Sequence, residues 1–98
     1  QLEFEPPDFG KFPLLRLAYQ AIEQGGVAGC VLNAADEIAV ESFLNNEIPY
    51  PAIAAVVEET LELLGAGEAS TIQETLEIDR QARAAARRIV AERAVRVS

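Results

Sequence analysis

Residues 28 to 44, AGCVLNAADEIAVESFL, place apolar side chains around almost the whole circumference of a helix, and this limits the fold more than any other stretch. At about 100° per residue, Val31, Leu32, Ala35, Ile38, Ala39 and Phe43 form one broad face, while Val40 and Leu44 fall on the other side with Asn33 and Glu37. A helix of this kind does not lie on a surface. It needs neighbours on several sides, so the pattern predicts a bundle with residues 28 to 44 at its centre.

The remaining segments supply those neighbours. FPLLRLAYQAIEQGG reads as a helix with Pro13 in its first turn and Gly25-Gly26 as a left-handed stop, burying Leu14, Leu17, Ala18, Ala21 and Ile22. Asn45-Asn46 ends the central helix, and EIPYP makes a stiff connection. A third helix over about 52 to 64 buries Ile53, Val56, Val57, Leu61 and Leu64, and GAGEAS follows as a flexible loop. The last helix starts in STIQE, with Ser70 to Gln73 or Thr71 to Glu74 as a capping box. It runs to about Val95, with Ile72, Leu76, Ala82, Ala86, Ile89 and Val90 inward. The expected architecture is mainly α, a small antiparallel four-helix bundle with a short extended N-terminal arm. QLEFE alternates like a strand before Pro6-Pro7 stops it, so residues 1–10 read as a linker or arm and 11–98 as the bundle domain. Beginning at Gln1 without a methionine, the chain reads as part of a longer one.

Composition narrows the chemistry. There is no histidine, and Cys30 is the single cysteine, so His-based catalysis, transition-metal sites and internal disulfides are disfavoured and a reducing cytoplasm is the expected setting. No apolar run is long enough to span a membrane. The net charge of -8 disfavours nucleic acid. Charge is also segregated: residues 1 to 79 hold fifteen acids against Lys11 and Arg16, and residues 80 to 98 hold six arginines against Glu92. An arginine-rich last stretch suits the negative end of a helix dipole and can pair with the acidic elements before it.

No glycine-rich phosphate loop is present. Asp36, Glu37 and Glu41 do not converge on one helix face, which disfavours a divalent metal site, and Cys30 reads as a structural thiol. Asn33 and Glu37 lie one turn apart on a helix expected to be buried. They are therefore expected to brace the bundle from within, partnered by Arg16, by an arginine of the last helix or by backbone N–H groups of NNEIPYP. Loss of Glu37 would then cost about 1–3 kcal/mol. Asn33 as an N-cap with Asp36 at the third helical position is the alternative.

The motifs LEFEPPDFGKFPLLRLAYQAIEQGG and VLNAADEIAVESFLNNEI together resemble the C-terminal region of the 1-deoxy-D-xylulose 5-phosphate reductoisomerase family. The matching positions are Leu2, Phe4, Pro7 and Asp8, then Phe12-Pro13, Leu15 to Ala18, and Leu32 to Glu37. Asp36 stands where the family usually has Asn, and Leu14 where it often has Cys. The resemblance implies a non-catalytic helical domain, reached through a linker, that braces the catalytic domain of the same polypeptide. The parent would be an NADPH-dependent, cytoplasmic, homodimeric enzyme using Mg or Mn to make 2-C-methyl-D-erythritol 4-phosphate for isoprenoid biosynthesis. It carries no catalytic, cofactor-binding or metal residue onto these 98 positions. The rival reading is an independent acidic helical module that docks on a basic partner.

Overall fold

The structure is a computed structural model that describes the backbone of residues 13–97 and side chains as far as Arg93. The expected arm, and with it the division at residue 10, lies outside the described residues. Four helices follow one another: α1 (Pro13–Gln24), α2 (Ala28–Leu44), α3 (Ala52–Leu64) and α4 (Ile72–Val97). There is no strand among the described residues. α2 packs against all three of the others, and α3 also packs on α1 and α4. Among the described residues α1 and α4 do not pack on each other, so the bundle is built around α2 but does not close around it.

Each boundary has a local cause. Pro13 has no N–H to leave unsatisfied in the first turn. Gly25 and Gly26, at φ 71° and 58°, turn the chain through the left-handed region that a Cβ disfavours. Asn46, at φ 63°, does the same after α2, where its N–H donates to the Phe43 carbonyl at 3.0 Å. Across the proline-flanked connection the Tyr50 and Phe43 rings pack edge to face, with centroids 5.6 Å apart. Of the two capping boxes expected for α4, Thr71 with Glu74 forms: the Glu74 N–H donates to Thr71 Oγ1 at 3.0 Å. The Glu74 carboxylate accepts from the Thr71 and Ser70 hydroxyls rather than from the backbone N–H of the cap residue.

Small residues line the central contacts. Ala28, Ala34, Ala35 and Ala39 of α2 are fully buried, as are Val31, Val56, Val57, Ala82 and Ala86. The larger core joins Leu17, Ile38, Ile48, Ile53, Ile89 and Val90 to Ala35, Ala39, Val56, Val57 and Ala86. A smaller one gathers Val27, Val31, Ala34 and Ala82 near the start of α2. Thr60, fully buried in α3, satisfies its hydroxyl by donating to the Val56 carbonyl at 2.8 Å.

Three inward assignments are corrected. Ile22 is 77% exposed, and Ile72 and Leu76 are 80% and 63% exposed. Ile72 and Leu76 fall in the first turns of α4, before Ile78 and Ala82, where its packing in the core begins. Ile22 lies on the side of α1 that α2 and α3 do not cover. The loop expected to be flexible is instead tied down. The Val27 N–H donates to the Gly67 carbonyl at 3.2 Å, and Gln24 Nε2 donates to the Gly65 carbonyl at 2.7 Å. A Cβ on Gly26 would stand 2.8 Å from that Gly67 oxygen.

Two consequences are measurable by urea denaturation. Ile38→Ala, at a site 3% exposed, should lower stability by about 2–5 kcal/mol. Leu76→Ala should change it by less than about 0.5 kcal/mol. Equal midpoint shifts would contradict the packing described. Gly26→Ala should destabilise by about 1–3 kcal/mol, because it adds both a strained φ and a backbone clash.

Candidate functional site

Because α1 and α4 stand apart, a strip of α2 remains open between them. Asn33 and Glu37 lie on it, and both are exposed rather than buried. This corrects the expected burial of the pair. Apolar residues do surround most of α2, but only three helices cover it, and the polar positions fall on the uncovered side.

The two residues also part company. Glu37 Oε2 accepts from Arg83 Nη2 of α4 at 2.7 Å, and Arg83 Nε donates to Asp79 one turn earlier at 2.8 Å. Flanked by two carboxylates, the Arg83 guanidinium is held more firmly in its charged form than usual. Asn33 makes no side-chain hydrogen bond among the described residues. It faces a groove between α1, α2 and α3 instead. Of the partners expected for Glu37, an α4 arginine is therefore the one found. Arg16 pairs with Glu58 of α3 at 3.0 Å, and Arg93 joins α4 to α3 through Glu59 at 3.3 Å. The Asn33 N-cap alternative does not hold, since α2 begins at Ala28.

The groove measures about 900 Å³. Pro13, Leu14 and Ala18 form one wall, Leu32 the floor, and Tyr50, Pro51 and Ile53 the other wall. Asn33 and Asp36 supply its polar edge. Asp36 is half-buried, and its pKa is raised first by burial and then by the neighbouring Glu37. A shallower depression on the far side of Asp36 is bordered by Glu37, Glu41 and Arg83. Among the described residues no group of three or more His, Cys, Asp or Glu could hold a metal ion. Cys30 is half-buried with its Sγ 3.9 Å from the Thr75 carbonyl. Burial, and then Asp79, push its thiol above the ordinary value, which opposes formation of a nucleophilic thiolate. No helix among the described residues is long and apolar enough to cross a membrane.

Geometry and chemistry thus define, among the described residues, a small all-helical domain in which three ion pairs, Arg16–Glu58, Arg83–Glu37 and Arg93–Glu59, join one helix to another. The DXP reductoisomerase C-terminal domain pattern matches residues 1–85, so the chain belongs to that family. It is 52% identical over 87 residues to 1-deoxy-D-xylulose 5-phosphate reductoisomerase of Solibacter usitatus, covering 89% of this chain and 22% of that protein. It is 48% identical over 86 residues to the enzyme of the same name from Nitrosospira multiformis, with 88% of this chain and 22% of that protein covered. Among solved structures, 1-deoxy-D-xylulose 5-phosphate reductoisomerase from Zymomonas mobilis in complex with NADPH superposes with a TM-score of 0.83 at 40% identity. That match covers 92% of this chain and 24% of the other. The chain therefore spans about a fifth to a quarter of the proteins it matches.

Sequence reasoning placed Asp36 away from Glu37 but did not find the groove it borders. It also missed the Gln24–Gly65 and Val27–Gly67 hydrogen bonds, for which two glycine-rich turns were the only trace. The exposed Glu37–Arg83 pair replaces the expected 1–3 kcal/mol with a smaller figure: Glu37→Ala should cost less than about 1 kcal/mol and less still in high salt. A double-mutant cycle with Arg83→Ala, followed by thermal melts, checks this. For Asp36, a raised pKa in the folded state means that the folded chain holds a proton the unfolded chain has released. Its ionisation therefore works against folding as pH rises from the ordinary value of 3.8 through the raised one. In the 98-residue chain, Asp36→Asn should raise the melting temperature slightly at neutral pH, and the gain should vanish below the ordinary carboxylate range.

Proposed function

We propose that the 98 residues serve as the C-terminal domain of a 1-deoxy-D-xylulose 5-phosphate reductoisomerase, contributing rigidity and positioning rather than chemistry. The observation that carries this is the superposition on the NADPH-bound Zymomonas mobilis enzyme, which extends over nearly the whole of this chain yet less than a quarter of the other. In this reading NADPH and a divalent cation, Mg or Mn, are held by the remainder of the polypeptide, in a cytoplasmic homodimer. The reaction isomerises and reduces the substrate to 2-C-methyl-D-erythritol 4-phosphate. What supports a bracing role here is the way charged side chains are used. Arg16, Glu37, Glu59, Arg83 and Arg93 each join one helix to another.

The full-length polypeptide should oxidise NADPH when given 1-deoxy-D-xylulose 5-phosphate and a divalent cation, and residues 1–98 alone should not. Calorimetric titration of residues 1–98 should show no NADPH or Mg²⁺ binding. Micromolar metal binding lost in Glu37→Gln would overturn the non-catalytic assignment, and a full-length polypeptide with no such turnover would overturn the enzyme assignment.

A further inference from the structure

The groove between α1, α2 and α3 has three properties that point to one occupant. Its walls are apolar, with Leu14, Leu32, Tyr50 and Ile53 offering surface that favours an apolar side chain. Its one charged residue among those described is Asp36, which makes no ion pair or hydrogen bond there and has another carboxylate, Glu37, as its neighbour in sequence. Its rim includes Pro13, the residue through which the chain before α1 enters the bundle.

We propose that this groove is a docking seat for a segment of the same polypeptide, outside these 98 residues, that presents an aromatic or aliphatic side chain beside a lysine or arginine. The apolar side chain fills the space between Leu32 and Ile53, and the base meets Asp36. An occupant from the same polypeptide follows from two observations. The matched proteins are about four times as long as this chain, so most of the polypeptide lies elsewhere. Attachment through Pro13 at the groove's edge gives its segments a high effective concentration there. A base follows from charge complementarity with Asp36, which would otherwise be covered without a partner. Asn33, exposed at the same edge, offers an amide to the segment's backbone.

The inference rests on one part of the functional reading, that these residues belong to a longer chain, and not on the reaction which that chain performs. The test introduces a photo-crosslinking amino acid at Asn33 in the full-length polypeptide, with the same group at Leu44, exposed but outside the groove, as control. Linked peptides are identified by mass spectrometry. The expected result is an intramolecular link from position 33 to a peptide outside residues 1–98 containing an apolar residue next to Lys or Arg, several-fold stronger than any link from position 44. Adding Asp36→Arg should reduce that link several-fold, and Asp36→Asn should reduce it less. A link to a second copy or to another protein overturns the proposal. So does a link confined to residues 1–98, or one no stronger than the control. Turnover of NADPH is measured on the same samples, so a link in an inactive polypeptide would count against the proposed reaction and leave the docking seat standing.

Discussion

Contacts along α2 are made largely by alanine, and the rest of the bundle follows from how closely alanine lets neighbours approach. Ala28, Ala34, Ala35 and Ala39 are all fully buried. With no long side chains to hold the helices apart, Val56 and Val57 of α3 and Ala82 and Ala86 of α4 are enclosed as completely. Three helices then cover most of the apolar circumference of α2, leaving Leu44 exposed and Leu32 on the floor of the groove. A fourth is unnecessary, and the strip left over is where Asn33, Glu37 and Glu41 emerge.

That arrangement explains the separation of charge along the chain. Glu37 of α2 and Glu59 of α3 stand at the seams, and two arginines of α4 reach across to them, Arg83 to Glu37 and Arg93 to Glu59, while Arg80 and Arg88 pair with acids of α4 itself. Pairs at such exposure add little to the total stability. They do tie α4 to both α2 and α3 at specific positions. Specific pairing between helices, with hydrophobic burial supplying most of the energy, suits the bracing role proposed for this domain.

Element positions were legible in the sequence because most ends carry their own chemistry: Pro13, Pro51 or the capping Thr71 at three starts, and Gly25-Gly26 or Asn46 in the left-handed region at two stops. α2 and α3 begin and end where periodicity and turn residues place them. Which face of each helix is covered was less legible. Ile22, Ile72 and Leu76 obey the helical spacing of core residues, yet coverage depends on which helices are neighbours, and periodicity is silent on that. The same gap misplaced Asn33 and Glu37, since a helix apolar nearly all round looks identical whether three or four partners surround it. The groove was invisible for a related reason. It is a property of the space between α1 and α3, and no single segment encodes it.

The ties at the Gly25-Gly26 turn have a consequence for the order in which the bundle opens. α1 is fastened there by Gln24 and at mid-length by Arg16, but it has no contact with α4 and buries only Leu17 and Ala21 completely enough to join the core. It can swing outward about the glycine pair while α2, α3 and α4 keep every contact they share. Local unfolding of this type exposes backbone amides without global denaturation. Hydrogen exchange would thus divide the chain into two cooperative units, an early-exchanging α1 and a late-exchanging three-helix remainder, with the boundary at Gly25-Gly26.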